Sequence, residues 1–204
     1  MVLLGVVTAM VTGLYLSASR AVAQAKTLTG NTREASNGMN ETARVIRAAT
    51  ENPVAGALNA PAIETASNES VTLYAYVNLG MTTQQPVKIR LAVDANRRLV
   101  ETRWASTTLP GGYFGFQATP QSSRILAETV APWTSPKLYV FTYIDSAGAA
   151  IPVSSGSLTT AERRRIAAVT VTLTLQASTT DARSAVTLQN TVGMPNVGLS
   201  GDGS

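Results

Sequence analysis

The sequence predicts an α+β protein in which one long N-terminal helix packs on an antiparallel β-sheet. Between residues 35 and 49 the stripe residues recur at helical intervals of four and three, and from about residue 71 apolar residues alternate with polar ones as in half-buried strands. No helical period separates the strands, which argues against parallel βαβ units. Helix and strands are therefore segregated along the chain, as in an α+β fold.

The first 19 residues carry no charged side chain, and Arg20 ends the uncharged run. A helix of this length reaches roughly 28 Å, close to the ~30 Å hydrocarbon core of a membrane. Three interpretations are open: a secretory signal cleaved after Ala23, a buried core helix, or a retained anchor over residues 1–25. The basic n-region of a signal is absent, which favours the anchor. The predicted membrane and assembly residues are Val2, Leu3, Leu4, Val6, Val7, Met10, Val11, Leu14 and Leu16.

Residues 26–52 are predicted to continue this helix in amphipathic form. The apolar stripe consists of Ala35, Met39, Thr42, Ile46 and Ala49. We expect Met39 and Ile46 to pack on the sheet, with Gly30 and Gly38 as weak points in the helix. Asn52 precedes a proline, which disfavours the α conformation and predicts the end of the helix there.

Residues 53–197 are predicted to form an antiparallel sheet of about four to six strands, followed by a disordered tail at 198–204. The predicted strands cover residues 71–79, 87–93, 99–103, 138–144, 166–176 and 186–190. Residues 94–98 predict a turn, and residues 161–165 a short charged turn or helix. Residues 106–123 are rich in glycine and proline, and they predict a long irregular loop that is either functional or poorly ordered.

Composition excludes several function classes. Of the 204 residues, 45% are hydrophobic, 14% are charged and 5% are aromatic, and there is no Cys or His. Thiol chemistry, His-based triads, Cys/His zinc sites and disulfides are thereby removed. No nucleophile elbow, phosphate loop or dinucleotide fingerprint is present, so we expect neither an enzyme nor a cofactor.

Two kinds of charged residue are candidates for a site, and each has a structural alternative. Six arginines are candidates for a surface that binds DNA phosphates, the alternative being solvated charges in turns and at strand edges: Arg97, Arg98, Arg103, Arg163, Arg164 and Arg165. Asp94 and Asp145 lack a second carboxylate at the short spacing of a calcium loop, so turn capping is favoured for both. The aromatic residues Trp104 and 113–116 lie in or beside the long loop, where they either cover the sheet or form a recognition tip.

The N-terminal run MVLLGVVTAMVTGLY resembles the interior of the N-terminal helix of type IV pilins and type II secretion pseudopilins. Residues 138–148, 164–175 and 186–190 resemble parts of the minor members of this family. The resemblance implies a membrane-anchored subunit whose helix packs with its neighbours in a filament. The family's leader, its Phe-Thr-Leu-type start and an early acidic residue have no counterpart before Glu34. We therefore expect the chain to lack its leader and the first residues of the mature helix.

We expect a minor pilin or pseudopilin that acts in secretion, adhesion or DNA uptake, with an extracytoplasmic head on a single membrane-spanning helix. Its expected partners are other pilin or pseudopilin subunits and membrane lipid, with DNA as a further candidate. The alternative is an exported or tethered binding module whose N-terminus is only a signal or anchor.

Overall fold

The computed structural model describes residues 2–77, 85–133, 138–178 and 185–197. One long helix, α1 (Val2–Arg47), precedes a head built from antiparallel sheets, which confirms the predicted fold class. The last two residues of the first predicted strand (71–79) and the predicted tail at 198–204 lie outside the described residues.

The described part of the head contains eleven strands and one short helix, more strands than expected. The strands are β1 (Ile63–Ala66), β2 (Ser70–Ala75), β3 (Val87–Val93), β4 (Leu99–Trp104), β5 (Ser106–Thr108), β6 (Phe114–Phe116), β7 (Ser122–Ala127), β8 (Phe141–Asp145), β9 (Ala150–Ile151), β10 (Ile166–Leu175) and β11 (Val186–Gly193). The short helix α2 (Thr160–Arg164) begins with a capping box between Thr159 and Glu162.

The strands form two main sheets and a small one, where a single sheet was expected. The five-stranded sheet has the order β1-β2-β3-β4-β7, the four-stranded sheet β11-β10-β8-β9, and β5 pairs only with β6. Residues 129–131 join the main sheets, since Val130 bridges to Leu175. The Tyr143 hydroxyl, in a fully buried side chain, donates to the Ser67 carbonyl at 2.7 Å and ties β8 to the β1–β2 turn.

The prediction of an irregular loop over residues 106–123 was wrong. These residues form the β5–β6 hairpin, whose tip is a 3₁₀ turn at Pro110–Gly112, and the start of β7. Gly111 and Gly112 adopt positive φ angles of 83° and 80°, which glycine accepts without steric cost. The glycine content that suggested irregularity thus serves a tight turn.

One face of α1 is buried in the head, as predicted. All five residues of the apolar stripe are buried, with Met39 at 5% and Ile46 at 0% exposure. Ala43 and Val45 are buried as well, because this part of α1 contacts β2, β7, β10 and β11 and so touches both main sheets. Burial of a side chain such as Ile46 contributes roughly 1.5–3 kcal/mol.

The helix ends at Arg47, earlier than the predicted end at Asn52. The residues that follow join the sheet instead: the Thr50 amide donates to the Tyr74 carbonyl at 2.8 Å, and Asn52 pairs with Ala60. Sheet hydrogen bonds therefore take up these backbone groups before the proline at residue 53 is reached.

The direction of α1 defines two ends of the head. The Glu34 carboxylate accepts a hydrogen bond from the Glu128 amide, while Glu41 pairs with Arg124, so β7 runs antiparallel beside the helix. At the other end, the Asn196 side chain donates to the Arg47 carbonyl. We call the end near Glu34 the proximal end and the end near Arg47 the distal end. They are about 20 Å apart along the helix.

Gly38 is the point of closest approach between α1 and the head. A Cβ atom at this position would lie 3.0 Å from the Leu126 carbonyl oxygen and 3.3 Å from both Ala127 Cβ and Leu173 Cδ2. By contrast, a Cβ at Gly30 would have nothing within 4 Å. The helix is continuous through both glycines, so neither of the predicted weak points interrupts it.

We predict that Gly38→Ala lowers the free energy of unfolding of the head by roughly 1–2 kcal/mol, because overpacking outweighs the gain in helix propensity. Gly30→Ala is the matched control and should cost nothing. Denaturant unfolding followed by tryptophan fluorescence measures both variants. A Gly38→Ala variant as stable as the parent would show that the contact is not tight.

Candidate functional site

The N-terminal part of α1 extends away from the head, and every side chain described up to residue 26 is exposed. The predicted assembly residues within it have exposed side chains: Leu3 81%, Val6 51%, Val7 50%, Met10 65%, Val11 60%, Leu14 72% and Leu16 48%. The side chains of Val2 and Leu4 lie outside the described part. Over residues 5–47, α1 is long enough and, in its N-terminal part, apolar enough to cross a membrane.

Four threonine hydroxyls in the first 32 residues of α1 are satisfied within the helix. Thr12 donates to the Thr8 carbonyl at 2.8 Å, and Thr27, Thr29 and Thr32 make the same bond to the carbonyl four residues earlier. A hydroxyl that is bonded in this way costs less to transfer into lipid than a free one. Thr12 is therefore compatible with an otherwise apolar surface.

A chain of charged groups fastens α1 to the five-stranded sheet. Arg124 on β7 binds Glu41 of the helix at 2.7 Å and Glu101 of β4 at 3.0 Å. Glu101 is only 1% exposed, and Arg103 also pairs with it. A buried carboxylate is tolerated when it is paired in this way, and removal of one partner is costly.

Sequence reasoning missed this cluster. Glu41 lies outside the predicted apolar stripe, and Arg103 is one of the arginines predicted for a DNA surface. The one available signal was Glu101, a charged residue at an inward position of the alternating β4 strand, in register with the apolar Leu91. Arg124 lies one residue beyond the segment predicted to be irregular, and no predicted strand includes it.

The ion pairs of Glu41 make the stability of the head depend on pH. Hydrogen bonds from Arg124 and then Arg44 lower the pKa of Glu41 below its ordinary value of 4.5. The folded head therefore binds fewer protons than the unfolded chain, so the contribution of Glu41 to stability is complete above pH 4.5 and is lost as the pH falls through the lower, folded-state pKa.

We predict that Glu41→Gln destabilises the head at pH 7 by less than about 1 kcal/mol, since the pair is partly exposed, and that the difference from the parent shrinks in acid. Unfolding at pH 7 and at pH 3 measures it, with Glu128→Gln as the control for loss of an exposed carboxylate. A difference that is constant across this pH range would contradict the assignment.

The six candidate arginines lie on two separate parts of the head, and hydrogen bonds or ion pairs hold each of them. Arg97, Arg98 and Arg103 belong to the β3–β4 turn and β4, whereas Arg163, Arg164 and Arg165 belong to α2 and its C-cap. Ion pairs join Arg97 to Glu69, Arg98 to Asp94, Arg103 to Glu101 and Arg165 to Asp145. Arg163 donates to the Leu158 carbonyl and Arg164 to the Asn59 carbonyl.

The two aspartates cap turns, as predicted. Asp94 Oδ1 accepts from the amides of Asn96 and Arg98, and Asp145 Oδ1 accepts from those of Ala147 and Ala149. Across residues 2–77, 85–133, 138–178 and 185–197, no three acidic side chains come together in a way that could hold a metal ion.

The aromatic residues of the β5–β6 region serve two purposes. Phe116 stacks on Tyr74 with ring centroids 5.0 Å apart and covers the sheet. The Lys88 ammonium lies 5.4 Å from the Trp104 ring centroid, a cation–π contact. Tyr113 and Phe114 instead line a groove at the distal end.

We call this cavity the distal groove. It has a volume of about 360 Å³, and its walls are the hairpin tip and the segment after α1. Its lining is mainly apolar and consists of Asn52, Pro53, Val54, Ala55, Leu109, Pro110, Tyr113 and Phe114. Asn52 is 8% exposed and donates through Nδ2 to the Phe114 carbonyl at 3.3 Å. Its Oδ1 atom is buried and has no hydrogen-bond partner in the described part of the chain.

No protein-family profile matches the chain, and a search of curated proteins finds none with significant similarity. The structure itself defines the class at the level of architecture. One long N-terminal helix, half exposed and half packed on antiparallel sheets, is a pilin-like arrangement.

Proposed function

We propose that this protein is a structural subunit, a minor pilin or pseudopilin, of a filament of the type IV pilus or type II secretion kind. The exposed part of α1 anchors it in a membrane and then packs with the same helix of neighbouring subunits. The head is extracytoplasmic and decorates the filament, where it serves secretion, adhesion or DNA uptake.

The observation that carries the proposal is the division of α1 into two environments. From residue 35 onward one face of the helix is buried in the head, whereas the apolar side chains described before Arg20 are exposed. Soluble monomers rarely expose a continuous apolar surface of this extent, so such a surface marks contact with lipid or protein. A run of 18 residues at positions 2–19 spans about 27 Å, which fits both lipid and a helical filament core.

The alternative is an exported binding module that uses the helix as a tether. It shares the membrane anchor and differs only in whether the anchor helices of separate copies make specific contacts. The chain has no native Cys, so cross-linking of single-cysteine variants reports only on the introduced residue and can distinguish the two proposals.

We predict that cysteines placed singly at residues 3–16 in the full chain form disulfide-linked dimers in membranes with a yield that peaks every three to four residues. The control is Ala95→Cys, in the exposed β3–β4 turn, which should give no dimer. Oxidation followed by non-reducing electrophoresis measures the yields. A uniformly low yield along the helix would favour the tethered binding module and contradict the filament proposal.

A further inference from the structure

The outer face of the five-stranded sheet carries a line of polar side chains that crosses all five strands. Leu73, Ile89 and Leu91 are buried in the core, so the residues next to them along each strand point outward. The strand register aligns one outward residue of each strand, about 4.8 Å from the next. We call this line the polar row, and it consists of Thr65, Thr72, Arg90, Thr102 and Ser123.

The polar row lies in two open depressions that meet at Arg90. One has a volume of about 330 Å³ and is lined by Thr65 and Thr72, and the other has a volume of about 520 Å³ and is lined by Thr102 and Ser123. Arg90 belongs to the walls of both. The two depressions therefore form one trough across the strands, whose four strand intervals give a length of about 19 Å. A trough of this shape suits an extended chain.

Arg90 is the cation of the trough that has no carboxylate partner among the described residues. Its side chain is exposed, and its Nε donates to the Ser70 hydroxyl at 3.2 Å. Ion pairs engage the other charged side chains of the trough, and they join Lys88 to Glu64, Arg98 to Asp94, and Arg124 to Glu41 and Glu101. The guanidinium of Arg90 is therefore the charge that remains open to a ligand.

The charges beside the trough do not cancel that of Arg90. Glu41 and Glu101 are also bound by Arg44 and Arg103, and Glu69 pairs with Arg97. On the β1 side, Arg163 of α2 adds a further cation near Tyr74. Every carboxylate in and beside the trough is thus paired, and the face keeps a positive excess that favours an anion.

The rest of the trough offers hydroxyls and apolar surface. Thr65 donates to the Thr72 hydroxyl at 2.8 Å, whereas the hydroxyls of Thr102 and Ser123 have no hydrogen-bond partner in the part of the chain that the structure describes. Two apolar side chains flank the polar row on opposite sides. They are Trp104, which carries the Lys88 ammonium at 5.4 Å from its ring centroid, and Ile125, which is 44% exposed.

These groups match the chemistry of an acidic sugar chain. A sugar ring has apolar C–H faces, which pack on side chains such as Trp104, and hydroxyls that exchange hydrogen bonds with threonine and serine. A guanidinium binds a carboxylate through two parallel N–H donors. A nucleic acid carries a phosphate on every nucleotide and binds to a series of cations, whereas the polar row has a single one. One cation among hydroxyls therefore favours a saccharide.

We propose that the trough binds an extended polysaccharide that contains uronic acid units, with the carboxylate of one unit on Arg90. The hydroxyls of Thr102 and Ser123 bind hydroxyls of the sugar chain, and Trp104 packs on a ring. The site lies on the head alone. The inference therefore goes beyond the filament proposal and holds whether the anchor helices of separate copies assemble or only tether the head.

The test measures binding of saccharides to the full chain in lipid nanodiscs by isothermal titration calorimetry. The probes are oligogalacturonate and oligomannuronate, with malto-oligosaccharide of equal length as the neutral control and oligothymidylate as the nucleic acid. We expect an acidic saccharide to bind at least about tenfold more tightly than the neutral one, since a hydrogen-bonded ion pair contributes about as much as this ratio requires.

Arg90→Gln should weaken binding of the acidic saccharide about tenfold, because the charge-assisted pair is lost. Thr102→Val keeps the shape of the side chain but removes its hydroxyl, and it should weaken binding about threefold. Arg33→Gln is the matched control for loss of an exposed positive charge, and it should leave the affinity unchanged. Thermal unfolding of each variant at the temperature of the parent shows that the head is intact.

Three results would overturn the proposal. They are failure of both acidic saccharides to bind, equal affinity for the neutral saccharide, and an equal loss of affinity in Arg33→Gln. Tighter binding of oligothymidylate that is lost in Arg90→Gln would also overturn it and would assign the trough to nucleic acid. The cross-links within residues 3–16 do not involve the trough, so each of these results leaves the filament proposal to its own test.

Discussion

Burial of one face of α1 between residues 35 and 46 is the contact on which the rest of the molecule depends. The apolar stripe of α1 packs on β7, β10 and β11, which belong to both main sheets. The two sheets therefore share a single hydrophobic core around the helix. Gly38 lets the helix approach β7 within van der Waals distance, and the Glu41–Arg124–Glu101 cluster fixes the same strand electrostatically. A tight apolar contact and a paired charge cluster, placed about one turn apart on the helix, together set the position of α1 on the head.

This rigid attachment gives the exposed half of the helix its direction. Because α1 is continuous from Val2 to Arg47, the orientation of the head is transmitted to the apolar segment without a hinge. A free apolar helix of this length is unfavourable in water, and transfer to lipid or to a bundle of like helices removes that cost.

The helix could be predicted in detail from the sequence, and the head only in outline. The stripe from Ala35 to Ala49 and the strands β3, β4 and β10 follow local periodicity, which burial on one face imposes residue by residue. The β5–β6 hairpin could not be predicted in this way. Gly111 and Gly112 indicate a flexible loop when only the sequence is known, whereas in the structure their positive φ angles form a tight turn. The ion pair of Glu41 with Arg124 joins residues 83 positions apart and the distal groove joins residue 52 to residue 114, so no local pattern contains either.

A map of water access along α1 shows whether the apolar half of the helix lies in a membrane. Single cysteines at successive positions from residue 3 to residue 34 are labelled with a membrane-impermeant maleimide in intact membrane vesicles of both orientations. If α1 anchors the protein in a membrane, positions before Ser19 are protected, labelling begins close to Arg20, and positions after Arg20 are labelled only from the side that bears the head. Uniform labelling from residue 3 to residue 34 would contradict it, because the apolar half of the helix would then lie in water and could anchor nothing.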